Sequence, residues 1–140
     1  MNAYLDASAL FSQFMIDAHT PPMMRWLADA QDRVVLSEWT LTEFSSALAV
    51  AVRMGRLQPD ERQRIDMAAD TWLVNRTPPY TVLAGDGHAA RRFIRATHRP
   101  LRAADALHLA IAQRLGFSVV TFDGAMRAAA LDLGIPVEDL

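Results

Sequence analysis

Short apolar runs alternate with longer helical patterns along this chain, and that alternation admits little besides a mostly parallel sheet with helices on both faces. "AYLD" (3–6), "RVVLS" (33–37), "YTVLAG" (80–85) and "SVVTFD" (118–123) read as strands, and "IPVEDL" (135–140) as a short edge strand. Between them lie helical patterns: "ALFSQFMIDAH", "PPMMRWLADA", "TLTEFSSALAVAVRMG" (40–55), "QPDERQRIDMAADTWLVN", "HAARRFIRAT", "LRAADALHLAIAQRLG" (101–116) and "GAMRAAALDLG". Prolines sit in two first turns, and Gly55 and Gly116 close two of the helices. No repeat or linker divides the 140 residues, so the expected organisation is one α/β domain spanning 1–140.

Two of the strands, "AYLD" and "SVVTFD", end on an aspartate, and open α/β sheets bind ligands beyond the carboxyl ends of their strands. Asp6 and Asp123 are therefore expected on one rim. Each also has a second reading as an N-cap of the helix that follows it. Glu43 has a comparable structural reading, because Thr40-Leu41-Thr42-Glu43 matches the S/T-x-x-E capping box.

Asp105 resists such a reading. On a helix, Leu101, Ala104, Asp105, His108, Ile111, Ala112 and Leu115 fall on one side, which puts a carboxylate and an imidazole where a core should be. The helix dipole returns only ~0.3 to 1 kcal/mol to a first-turn acid, whereas desolvating an unpaired carboxylate costs several kcal/mol. An arginine partner, a protonated acid or a metal ion would each resolve the deficit, and acids arriving from separate segments favour the metal.

Composition narrows the chemistry. There is no cysteine, which removes thiol nucleophiles and thiolate zinc sites, and an oxygen-only ligand set points to Mg²⁺ or Mn²⁺. All fourteen basic residues are arginine, and the absence of lysine disfavours Schiff-base, P-loop and receiver-like sites. Asp6-Ala7-Ser8 likewise lacks the D-x-D of haloacid-dehalogenase-like phosphatases. The net charge of −2 gives no global attraction to nucleic acid, although "ARRFIRATHRPLR" gathers Arg91, Arg92, Arg95, Arg99 and Arg102. No apolar run approaches a bilayer span and no leader pattern opens the chain, so a cytoplasmic protein without a membrane partner is expected.

"YLDASAL" (4–10), "TLTEFSSAL" (40–48), "LRAADALHLAIA" (101–112) and "VVTFD" (119–123), in this order and spacing, resemble the PIN-domain ribonucleases, most closely VapC-type toxins of bacterial toxin–antitoxin modules. The resemblance covers essentially the whole chain. Carried over by residue, it implies that Asp6, Glu43, Asp105 and Asp123 bind Mg²⁺ or Mn²⁺, and that Ser8 supports the first aspartate or a metal-bound water. It further implies metal-dependent endonucleolytic hydrolysis of RNA, dimerisation and neutralisation by a cognate VapB-type antitoxin.

Arg91, Arg95, Arg99 and Arg102 are the expected RNA contacts. Asp86, within a turn-like "GDG", stands outside the catalytic set, and His108 reads as support for the Asp105 wall. Met23, Met24, Trp26, Leu27, Trp39 and the 48–52 stretch could line a groove for a partner helix, against the ordinary alternative of core packing. The competing functional class is a catalytically silent PIN-like module that binds RNA or an antitoxin.

Overall fold

The computed structural model describes residues 1–140. Three short parallel strands, β1 (Ala3–Leu5), β2 (Val34–Val35) and β3 (Ser118–Val120), are ordered β2-β1-β3, with Tyr4 opposite Val35 on one side and Val119 on the other. The helices are α1 (Ala7–Phe14), α2 (Thr20–Ala30), α3 (Glu38–Arg53), α4 (Pro59–Leu73), α5 (Ala84–Ala96), α6 (Ala103–Leu115) and α7 (Gly124–Asp132). None is long and apolar enough to cross a membrane.

Strand side chains alternate between faces, and this period of two divides the core. Tyr4, Val35 and Val119 point into one cluster with Phe93, Leu109, Ile111 and Met126, while Ala3, Leu5, Val34 and Val120 join Leu10, Met23, Leu27, Phe44 and Leu48 on the other face. Each fully buried leucine contributes ~1.5 to 3 kcal/mol through apolar burial. Helix α6 is buried from Asp105 to Ala112 except at Leu107, so it runs through the interior rather than along the surface. Gly116 ends it in the left-handed region at φ +69°, as its position at the end of the apolar pattern suggests.

Several boundaries differ from those read in the sequence. Of the 80–85 run, only Tyr80 joins a strand-like ladder, through a parallel bridge to Ser37, and α5 already starts at Ala84. The physical cause is Asp86, whose carboxylate accepts from the Leu83 amide at 2.9 Å and closes the first helical turn, so "GDG" is helix rather than turn. The 135–140 segment contributes one bridge, Val119 to Val137. Helix α3 begins at Glu38, capped by Ser37, whose hydroxyl accepts from the Thr40 amide at 3.2 Å. The capping box thus joins Ser37 to Thr40, and Glu43 lies beyond it.

The apolar groove does not form as one surface. Met23, Leu27, Leu48 and Ala51 are core residues, Trp26 donates to Glu138 at 3.1 Å and Trp39 to the Ala104 carbonyl at 3.3 Å. Of the four residues 23, 24, 26 and 27, only Met24 remains largely exposed.

Candidate active site

The parallel pairing of β1 with β3 brings the residues after both strands to one edge, and the starts of α1 and α7 follow from there. A cavity of about 560 Å³ opens at that edge, lined by Asp6, Ser8, Glu43, Asp105 and Asp123 together with Arg102. All four expected acids and the expected serine therefore meet at one place.

Asp6 is both N-cap and cavity wall. One of its oxygens accepts from the Ala9 amide at 2.9 Å and from Ser8 Oγ at 2.7 Å, and the other from Thr121 Oγ1 at 2.6 Å. Ser8 in turn accepts from the Phe122 amide at 3.0 Å, which ties α1 to the end of β3. Burial raises the Asp6 carboxyl above its ordinary range despite the opposing bonds from Thr121 and the Ala9 amide. A buried anion in this state gains from an added cation.

Asp123 divides its oxygens in the same manner. Oδ1 accepts from the Met126 amide at 2.8 Å as the cap of α7, and Oδ2 accepts from Arg102 at 3.2 Å. The Arg102 guanidinium also donates to both oxygens of Asp105, at 3.0 and 3.4 Å. Of the three ways to resolve the buried Asp105, the structure displays the arginine partner. The Asp105 side chain is 10 % exposed and that of Arg102 is 74 % exposed, so the acid is fixed while its counter-charge reaches in from solvent.

His108 is buried within a polar chain that begins at Glu43. Its Nε2 lies 2.5 Å from Glu43 Oε2, and its Nδ1 lies 2.7 Å from the Tyr4 hydroxyl, which meets Ser37 Oγ at 2.7 Å. A carboxylate only accepts, so Nε2 carries a proton, and in the neutral ring Nδ1 accepts from Tyr4. Burial holds the Tyr4 phenol in its protonated form far above the usual range. Thr40 completes the layer by donating to the Leu5 carbonyl at 2.9 Å. The result is a Glu43 carboxylate with one oxygen held by a buried ring that is bonded at both of its nitrogens.

The donor set suits Mg²⁺ or Mn²⁺ in kind, being carboxylate oxygen throughout. Its present arrangement is looser than a coordination sphere, because no three acidic or histidine side chains converge on a common point. Arg102 lies between Asp105 and Asp123, and its rotation into solvent would free both oxygens of Asp105 and one of Asp123.

The remaining expected residues separate. Arg91 and Arg95 are exposed on α5 and Arg99 is ion-paired with Asp132, and none of the three lines the cavity. Asp86 is also outside it. Buried in the first turn of α5, it takes 2.7 and 2.9 Å bonds from Arg114, which with the Leu83 amide outweigh burial and hold its carboxyl below the ordinary range.

Sequence reasoning missed Tyr4, Ser37, Thr40 and Thr121, the polar layer behind the acids. A threonine just before the terminal Phe-Asp of "VVTFD" was a usable signal for one of them. Nothing in the sequence marked His19 or Arg56, which also line the cavity.

The PIN domain family matches residues 3–131 of the chain. No curated protein matches it in sequence. Among solved structures, FitAcB from Neisseria gonorrhoeae superposes with a TM-score of 0.76 at 17% identity, covering 98% of this chain and 96% of the other. VapC20 from Mycobacterium tuberculosis, described as a sarcin-ricin loop cleaving toxin, gives 0.73 at 22% identity, covering 91% and 95%. A toxin–antitoxin complex from Klebsiella pneumoniae gives 0.61 at 18% identity, covering 87% of each chain.

Proposed function

The chain belongs to the PIN domain family, and from that premise we propose that it is a divalent-cation-dependent endoribonuclease acting as the toxin of a toxin–antitoxin pair. The observation that carries this reading is the meeting of Asp6, Glu43, Asp105 and Asp123, from four separate segments, in one cavity at the ends of β1 and β3. The similarity to a toxin that cleaves the sarcin-ricin loop and to a toxin–antitoxin complex supports the substrate class and the partner. The proposed partners are RNA, a cognate VapB-type antitoxin and a second copy of the chain, in the cytoplasm.

Asp6, Asp105 and Asp123 would hold the cation, with Glu43 beside them. Mg²⁺ or Mn²⁺ bound there would supply Lewis acidity, making water nucleophilic near neutral pH and offsetting charge on the phosphoryl oxygens. The protein's own part is positional. Ser8, Thr121 and the Ala9 amide fix Asp6, and His108 fixes one Glu43 oxygen and leaves the other to the cavity. Arg102, when it turns from the acids to a phosphodiester, carries its charge to the substrate and releases Asp105 and Asp123 together. Arg91 and Arg95, an exposed i, i+4 pair, and Arg99 would contact phosphates further along the strand.

One observation favours the second reading, a PIN module that binds without cutting: Arg102 already neutralises two of the acids. Incubating transfer and ribosomal RNA with the protein, with Mg²⁺ or Mn²⁺ and with or without chelator, separates the two. The nuclease reading expects cation-dependent cleavage that falls to background in Asp6→Asn. Cleavage that survives both chelation and this substitution would sink it, and RNA binding without any cleavage would select the silent module.

A further inference from the structure

The acid cavity has a second wall that the chemistry above does not use. His19 and Phe122 stack there with ring centroids 4.4 Å apart and planes inclined by 22°. Both rings line the acid cavity, and both also border a neighbouring cavity of about 380 Å³, lined by Asp123 and by the Arg127–Asp139 ion pair. They form a ridge between the two.

The ridge is held in place from both sides. Phe122 lies between Thr121, which donates to Asp6, and Asp123, and its amide donates to Ser8. The His19 amide donates to Asp17 Oδ1 at 2.8 Å, and the Thr20 amide donates to the same oxygen at 3.1 Å. Phe122 is half-buried and His19 exposed, so one imidazole face rests on Phe122 and the other is open to solvent.

Charge makes this shelf useful. Five acids (Asp6, Asp17, Glu43, Asp105 and Asp123) line the main cavity against two arginines, Arg56 and Arg102. A polyanion drawn toward such a surface needs an anchor other than its phosphates, and an aromatic face offers every base one, worth roughly tenfold or more in affinity.

We propose that the His19–Phe122 ridge is a nucleobase-stacking subsite. It takes an unpaired base next to the scissile phosphate of a single-stranded RNA. This rests on the nuclease reading above.

The test is a coupling cycle on short single-stranded RNAs that carry an abasic nucleotide at each position in turn, with binding measured on the cleavage-inactive Asp105→Asn protein. Cleavage by the protein with intact acids is measured in parallel. One abasic position next to the cleavage site is expected to weaken binding roughly tenfold, and to have no effect once His19→Ala is present. His19→Phe should restore the sensitivity, and the effect should persist at high salt, unlike contacts to phosphate. His19 is exposed, so its variants avoid the packing loss that Phe122→Ala would bring. RNA that is bound or cut with equal abasic sensitivity in His19→Ala would overturn the subsite and leave the nuclease reading standing. RNA that is neither bound nor cut would overturn both.

Discussion

Asp86 and Asp105 occupy the same position in two helices that pack on one another. Each is the third residue of its helix, α5 or α6, and each has a buried carboxylate and an arginine partner. What differs is where the counter-charge stands. Arg114 is 30 % exposed and grips both oxygens of Asp86 while the Leu83 amide closes the turn, so that carboxylate is fully committed. Arg102 is 74 % exposed and reaches Asp105 from the solvent side of an open cavity. Burial of a carboxylate therefore does not mark a site by itself. A counter-charge that can leave does.

The comparison breaks most sharply on activity. Asp105→Asn is expected to reduce cation-dependent RNA cleavage to background with little loss of fold, whereas Asp86→Asn should keep cleavage and lose roughly 3 kcal/mol in urea denaturation, the cost of leaving a partly buried arginine unpaired. A stable Asp86→Asn protein without activity would reverse the assignment.

His108 gives the next effect. His108→Ala frees the Glu43 rotamer and strips the Tyr4 hydroxyl of one partner, so cleavage should fall roughly 10- to 100-fold, as for removal of a residue that orients a ligand. Equal loss in His108→Ala and Tyr4→Phe would show that the polar chain acts as a unit. Loss in His108→Ala alone would place the effect at Glu43.

Removing the solvent-facing counter-charge should separate binding from stability. Arg102→Ala is expected to tighten Mn²⁺ binding in calorimetry by releasing Asp105 and Asp123, while lowering the unfolding free energy of the metal-free protein by roughly 3 kcal/mol, because the buried Asp105 carboxylate loses its partner. Unchanged Mn²⁺ affinity would mean that Arg102 and the cation do not compete.

The smallest effect is a pH dependence. The folded carboxyl of Asp86 is depressed below its ordinary value of 3.8, so its pair stabilises the protein above that value and the contribution disappears as pH falls through the depressed range. The stability gap between the unmodified protein and Asp86→Asn should therefore close at acid pH, as read from urea midpoints. A gap independent of pH would assign the loss to packing instead.

How much was legible can be followed through particular residues. The ends of "AYLD" and "SVVTFD" gave the rim, because strand polarity alone puts Asp6 and Asp123 on the same edge once β1 and β3 are parallel neighbours. Asp105 was legible because an acid breaks an apolar helical face. Glu43 was legible only through the family resemblance, since its local sequence also fitted a capping box that Ser37 and Thr40 in fact make. The 80–85 run reads as strand because its composition is β-like, and the Asp86 bond to Leu83 turns its end into helix. The arginine cluster reads as one patch, yet only Arg102 enters the cavity, because helix α5 and the loop after it separate residues that are close in sequence.

By itself, the sequence determined the α/β class, the strand ends that carry acids and the chemistry open to a chain without cysteine or lysine. These follow from side-chain periodicity and residue type, which are local properties. Only the tertiary structure decided which charge neutralises Asp105, that His108 serves Glu43, that Asp86 is an anchor, and that His19 lies on Phe122. Each of these pairs residues from separate segments, and the choice of partner depends on distance and on access to solvent. Neither exists until the chain has closed around its two cores.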